Sequence, residues 1–89
     1  MEIDKILADR NGNYGNFEDH AMITQNIKAA MRDSKNWNCL SVDKKEALEM
    51  VAHKIGRILN GKPDYIDSWT DIIGYITLVE RKLKWQNDI

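Results

Sequence analysis

The strongest constraint on the fold of this chain is the helical periodicity of the stretch between Ser41 and Gly61. Its apolar side chains recur every three or four positions, at Leu48, Val51, Ile55, Ile58 and Leu59, which is the spacing of one buried helix face. Ser41 is a typical N-cap, and Gly61 followed by Pro63 is a typical helix end. The pattern predicts a long amphipathic helix here.

Two helices are predicted in the N-terminal half. The first is short, covers residues 2 to 9 and ends before the turn-forming sequence RNGNYGN. The second runs from about Glu18 to Arg32, because its apolar residues recur with a period near 3.6.

A last helix is predicted to follow Pro63, with Asp64 or Asp67 as its cap, and to end near Trp85. Its buried face is predicted to consist of Trp69, Ile72, Ile73, Ile76, Val79 and Leu83. Glycines lie inside the last two helices, at Gly56 and Gly74, so we expect a neighbouring helix to approach the backbone closely at both.

No segment alternates polar and apolar residues as a strand does, so the sequence predicts an all-α fold. We expect a single domain over residues 1–89, in which a short N-terminal helix joins a small bundle of three main helices. Because so short a chain forms only a small core, homo-oligomerisation, as a dimer or higher, is expected to complete the bundle.

The charge balance and the cysteine content exclude several classes of protein. The chain has 13 Lys+Arg against 14 Asp+Glu, so no overall positive field favours nucleic-acid binding. Its one cysteine, Cys39, excludes an internal disulfide. With neither a membrane-spanning apolar run nor a signal-peptide pattern, the sequence favours a cytoplasmic protein that does not bind membranes.

Two lines of polar residues could form a site. Glu46, Glu49, His53, Arg57 and Asn60 follow one side of the third helix, and Asp64, Asp67 and Asp71 follow the last. A simpler interpretation treats both lines as solvated faces with ion pairs and caps, and treats the two histidines as structural. The pattern alone leaves these alternatives open.

Three blocks of the sequence add a resemblance. DRNGNYGNFEDHA, HKIGRILNG and DSWTDIIGY together resemble a family of short, uncharacterised phage and prophage proteins. The helical layout is more distantly similar to all-α NTP pyrophosphohydrolases of the MazG and dUTPase type, which hold Mg²⁺ with an E-x-x-E and an E-x-x-D motif. The resemblance implies a nucleotide ligand and a location in the cytoplasm of a phage-infected host.

Within these blocks the residues suited to gripping a nucleotide are Arg10, Tyr14, Gly15, Lys54, Arg57, Asp67 and Asp71. Basic side chains would bind phosphate, the tyrosine would stack on a base, and the aspartates would accept hydrogen bonds from base or ribose. The first hypothesis is a phage protein that sequesters a small nucleotide, such as a cyclic or ADP-ribose-type immune signal, and needs no cofactor.

The alternative is a Mg²⁺-dependent nucleotide pyrophosphohydrolase. Its metal ligands would be Glu46, Glu49, Asp67 and Asp71, since Mg²⁺ prefers carboxylate oxygens. Asp71 matches the last residue of the E-x-x-D motif, but Ser68 stands where the motif has Glu. A third hypothesis is a helical adaptor that binds protein through its tryptophans.

Overall fold

The computed structural model describes residues 1–88 and shows an all-α fold. Its four helices are α1 (Glu2–Tyr14), α2 (Phe17–Arg32), α3 (Val42–Asn60) and α4 (Ile66–Asp88), and a 3-10 turn at Trp37–Cys39 precedes α3. Residues 1–88 contain no strand. The predicted fold class, a small helical bundle with three main helices, is confirmed.

Helix α3 is the central element of the fold. Helices α2 and α4 both pack along it, whereas α1 makes far fewer contacts. Three of its most buried residues are small, namely Ala47, Ala52 and Gly56, and small side chains allow neighbouring helices to approach closely. None of the helices within the described chain is both long enough and apolar enough to cross a bilayer.

Helix α1 is longer than predicted. It does not end at residue 9 but continues through Asn11, Gly12 and Asn13 to Tyr14, so RNGNYGN is largely helical rather than a loop. The helix ends where Gly15 adopts a φ of 79°, a left-handed conformation that glycine adopts without strain. The turn propensity of this sequence therefore has an effect only at Gly15, where the helix ends.

The junction between α1 and α2 is fastened to the C-terminal end of α3. The Asn60 amide Nδ2 donates hydrogen bonds to the carbonyl oxygens of Tyr14, at 3.0 Å, and Asn16, at 2.8 Å. The Lys62 N–H donates to the Asn13 carbonyl at 2.8 Å. A Cβ on Gly15 would overlap the Asn60 carbonyl, so the close approach requires glycine.

The predicted buried face of α4 is wrong for the single chain. Trp69, Ile73, Ile76 and Leu83 are all exposed, and Ile72 and Val79 are only half-buried. Among residues 66–87 the one buried side chain is that of Ser68, and Asp71 on the same side pairs with Lys54 of α3. Periodicity identified an apolar stripe correctly but could not show which side of the helix faces its own chain.

The start of α4 also differs from the prediction. The helix begins at Ile66, so Asp64 lies before it and Asp67 lies within its first turn. A carboxylate in the first turn interacts favourably with the helix macrodipole.

The two helix glycines have different surroundings. A Cβ on Gly56 would lie 3.0 Å from His20 Nδ1 and would overlap Thr24 Oγ1, so the expected close approach of a neighbouring helix is confirmed there. At Gly74 nothing lies within 4 Å of the same position. The expected close approach at Gly74 is therefore wrong for residues 1–88 of the single chain.

We predict that Gly56→Ala destabilises the fold by about 1–3 kcal/mol, because an added methyl group displaces tightly packed side chains. Gly74→Ala is the matched control, and it should be stabilising by up to about 1 kcal/mol, since Ala favours a helix interior over Gly. Urea unfolding followed by circular dichroism measures both changes. Equal effects of the two substitutions would contradict the packing of α2 against Gly56.

Candidate functional site

A cavity of about 530 Å³ opens between α1, α2 and α3. This volume lies in the range of pockets that bind small molecules, roughly 300–1,000 Å³. Four residues predicted to bind a ligand line it, namely Arg10, Tyr14, Gly15 and Arg57. The structure therefore brings together more than half of the predicted ligand-binding set, from α1, the residue that ends it and α3.

Arg57 is held over an aromatic pair. The centre of its guanidinium group lies 4.0 Å from the ring centroid of Tyr14, and the Tyr14 ring is stacked on that of Tyr65, with centroids 5.7 Å apart and planes inclined by 19°. A guanidinium group over an aromatic face is attracted by the ring quadrupole. Tyr14 thus positions Arg57. Because the Tyr14 ring already contacts Arg57 and Tyr65, little of its surface is available for stacking on a nucleotide base.

The wall of this cavity carries positive charge without a compensating negative one. It includes Arg10 and Arg57 but no aspartate or glutamate. Within residues 1–88 neither guanidinium group takes part in an ion pair. Since guanidinium groups bind phosphate and carboxylate groups in a bidentate manner, the cavity is suited to an anionic ligand.

Two histidines, His20 and His53, also line the cavity, although neither belongs to the set of ligand-binding residues predicted from the sequence. His20 is only 5% exposed, and its ring meets that of His53 edge to face with centroids 4.6 Å apart. His20 Nε2 lies 3.4 Å from His53 Nδ1 and 3.4 Å from Thr24 Oγ1. The sequence placed His53 on the same polar side of the third helix as Arg57, four residues before it, and this was the signal for its place at the cavity.

Burial keeps both imidazole rings neutral near pH 7. Desolvation lowers the pKa of His53 to about 4, and the positive charge of Arg57 contributes. Desolvation also lowers the pKa of His20, although the backbone of Gly56 beside its ring opposes the shift. His20 Nδ1 is buried and forms no hydrogen bond of good geometry. Since His20 is buried and its Nε2 lies near His53 and Thr24, His53 is the histidine that offers a polar, uncharged group to a ligand.

The other predicted ligand-binding residues lie elsewhere. Lys54 is buried and its Nζ lies 2.9 Å from an oxygen of Asp71, so this pair connects α3 to α4. Asp67 lies near Tyr65, where its carboxylate raises the pKa of the phenol by hydrogen bonding and by its charge. Lys54 follows His53 by one position, about 100° around the helix, which is enough to turn it away from the cavity.

The four carboxylates proposed as metal ligands do not converge in the single chain. Glu49 pairs with Arg32 at 3.3 Å, and Asp71 pairs with Lys54. Among the residues that the structure describes, no three His, Cys, Asp or Glu side chains form a group that could hold a metal ion. The arrangement of Glu46, Glu49, Asp67 and Asp71 therefore does not fit a Mg²⁺ site within one chain.

Comparison with known proteins gives a family for this fold and cavity. The profile of DUF6378, described as a domain of unknown function, matches residues 3–82. The chain belongs to the DUF6378 family. No curated protein and no solved structure matches it. Every residue that lines the cavity of this DUF6378 member lies within the matched range.

We predict a loss of stability in mild acid that depends on His53. Because its pKa is lower in the folded state than the ordinary value of 6.5, the unfolded state binds more protons between about pH 6.5 and about pH 4. Stability is then complete above this window and falls as the pH decreases through it. Allowing for solvent screening of a partly buried ring, the loss from about pH 7 to about pH 5 is on the order of 1 kcal/mol.

Urea unfolding at both pH values measures this loss, and His53→Gln is the comparison. The substitution keeps a polar side chain but removes the titrating ring, so the pH dependence should decrease. An identical pH dependence in the two proteins would show that His53 does not titrate as described.

Proposed function

We propose that this member of the DUF6378 family is a nucleotide-binding protein that holds a small nucleotide without breaking a bond in it. One observation carries the proposal: Arg10 and Arg57 line an aromatic cavity in which no carboxylate neutralises them. A phosphate group is a ligand of matching charge and geometry for two guanidinium groups.

The cavity also offers a surface for a nucleotide base. Phe17 lines it and is 76% exposed, so its ring is available for stacking, whereas the Tyr14 ring is occupied by Arg57 and Tyr65. We therefore transfer the base-stacking role from Tyr14 to Phe17. The neutral ring of His53 would form a hydrogen bond with the base or the ribose through Nε2, since its Nδ1 lies 3.4 Å from His20 Nε2.

The chemistry of the wall favours binding over hydrolysis. Hydrolysis of the pyrophosphohydrolase type depends on carboxylates that hold metal ions and position water, and the wall of this cavity has none. The resemblance to phage proteins supports the further proposal that the ligand is a signal of host defence, of the cyclic or ADP-ribose type. We also propose that the binding form is a cytoplasmic homo-oligomer.

The experiment that tests the proposal is incubation of the purified protein with a panel of nucleotides, with and without Mg²⁺. Chromatography is then applied to the free fraction and to the fraction released by heat denaturation. Recovery of intact nucleotide only after denaturation supports sequestration. A monophosphate product that forms only with Mg²⁺ would replace the proposal by the pyrophosphohydrolase alternative, and no retention of any nucleotide would overturn it.

We predict that Arg57→Ala weakens nucleotide binding by about 10- to 100-fold, because a hydrogen bond to a charged group contributes about 1.5–3 kcal/mol. Arg32→Ala is the matched control, since Arg32 forms an exposed ion pair with Glu49 away from the cavity. Isothermal titration calorimetry with the nucleotide retained in the panel measures both affinities. Equal losses in the two variants would assign the effect to net charge rather than to the cavity.

We predict that Phe17→Ala weakens binding by about 5- to 100-fold, because stacking of a base on an aromatic ring contributes about 1–3 kcal/mol. Met22→Ala removes another exposed apolar side chain from the same helix, outside the cavity, and should bind as the wild type does. The same titration measures both. Full affinity in Phe17→Ala would place the base elsewhere.

A further inference from the structure

Helix α4 carries an apolar stripe that faces solvent along most of its length. Its members are Ile66, Trp69, Ile73, Ile76 and Leu83, all exposed. Their spacings of three and four residues are those of the a and d positions of a coiled coil, and Glu80 occupies the one position of the series that is not apolar. We call these five apolar residues and Glu80 the α4 seam. A regular seam of this kind is typical of a helix that packs against another helix.

An apolar groove runs beside the C-terminal half of the α4 seam. It has a volume of about 410 Å³ and lies between α4 and the N-terminal end of α3. Leu40 and Leu48 form one wall, and Ile76, Val79 and Leu83 form the other. The seam and the groove together make a largely apolar face on the hairpin of α3 and α4, which Lys44, Glu80 and Lys84 border.

The accessible surface area of the chain is larger than that of a compact monomer of the same mass. The accessible surface is 6741 Å², whereas a compact monomer of 10.3 kDa exposes about 5,300 Å². The radius of gyration is 15.4 Å against about 12 Å for a compact domain of this length. The excess area, on the order of 1,400 Å², exceeds the roughly 800 Å² that each partner contributes to a standard interface.

We infer that a second copy of this chain covers the α4 seam, so that α3 and α4 of two chains form a four-helix bundle. An antiparallel arrangement places Ile73 against Ile76 of the partner subunit and Ile66 against Leu83 of the partner subunit. Glu80 then faces Trp69 of the partner subunit, whereas a parallel arrangement would bring two Glu80 carboxylates together. The two-fold symmetry uses the same face twice.

This inference assigns a face to the oligomer of the proposed function but does not depend on nucleotide binding. No residue of the α4 seam lines the cavity between α1, α2 and α3. The two sites can therefore be tested separately by substitution.

The test is the mass of the full chain in solution, measured by light scattering coupled to size-exclusion chromatography over a range of concentrations. The wild type should have twice the single-chain mass of 10.3 kDa, and Ile73→Lys should have the single-chain mass. Leu78→Lys is the matched control, because Ile73 and Leu78 are both 66% exposed but Leu78 lies on another face of α4. Its mass should equal that of the wild type.

Three results would overturn the inference: a wild type with the single-chain mass, an Ile73→Lys protein with the wild-type mass, or equal dissociation by Leu78→Lys. A wild type with twice the single-chain mass that dissociates only with Ile73→Lys supports the seam as the interface. Circular dichroism of each variant establishes that the helices are retained.

Glu80→Leu is a second test of the α4 seam, and it applies even if Ile73→Lys does not fold. It fills the polar position of the α4 seam and removes only an exposed ion pair with Lys84, so the dimer Kd should fall by about 10-fold or more. An unchanged or higher Kd would contradict the inference. Nucleotide titration of the dimer tests the proposed function independently, because a dimer that binds no nucleotide overturns that proposal and leaves the seam intact.

Discussion

The cavity of this DUF6378 protein depends on the side-chain amide of Asn60. Its two hydrogen bonds, to the carbonyl oxygens of Tyr14 and Asn16, satisfy backbone groups at the end of α1 and at the start of α2 simultaneously. The Tyr14 carbonyl, at the C-terminal end of α1, has no partner within its own helix, whereas that of Asn16 also accepts the first intrahelical hydrogen bond of α2, from the His20 N–H at 3.0 Å. One side chain on α3 thereby holds the junction between α1 and α2 in place. Because these three helices form the walls of the cavity, this junction sets the angle between the walls.

The ion pairs of the chain leave the positive charge of the cavity uncompensated. Arg32, Lys54 and Lys82 each form an ion pair with a carboxylate, whereas among residues 1–88 Arg10 and Arg57 form none. Arg57 is instead held by the π face of Tyr14, an interaction that leaves its positive charge uncompensated. A chain with almost equal numbers of acidic and basic residues therefore still presents a locally positive site.

The sequence was most informative where local and tertiary preferences agree. Helix α3 was predictable because its amphipathic period, its N-terminal serine and the glycine after it all indicate the same element. The end of α1 was not, since a run of Asn and Gly has turn propensity but is helical here until Gly15 meets Asn60. That outcome depends on a contact between residues 45 positions apart in the sequence, which no local pattern contains.

For the site, the sequence identified Arg10, Tyr14 and Arg57 through a resemblance, and periodicity placed Arg57 on a polar face. The sequence could not show that His53 borders the cavity and Lys54 does not. Adjacent residues of a helix point about 100° apart, and only the packing of α2 decides which of the two faces the cavity. The prediction of the buried face of α4 was wrong for a related reason. An apolar stripe indicates that something covers the helix, without indicating whether the cover comes from the same chain.

The attachment of α1 at only one end has a mechanical consequence. None of its residues is buried, and the hydrogen bonds that join it to α3 and to the loop after α3 all lie at its C-terminal end. Rotation about that end changes the distance between Arg10 and Arg57 without breaking a hydrogen bond inside α1. Any change in the direction of α1 at Gly15 would therefore change the separation of the two guanidinium groups, and the affinity proposed for an anionic ligand would include the free-energy cost of bringing them to the separation that the ligand requires.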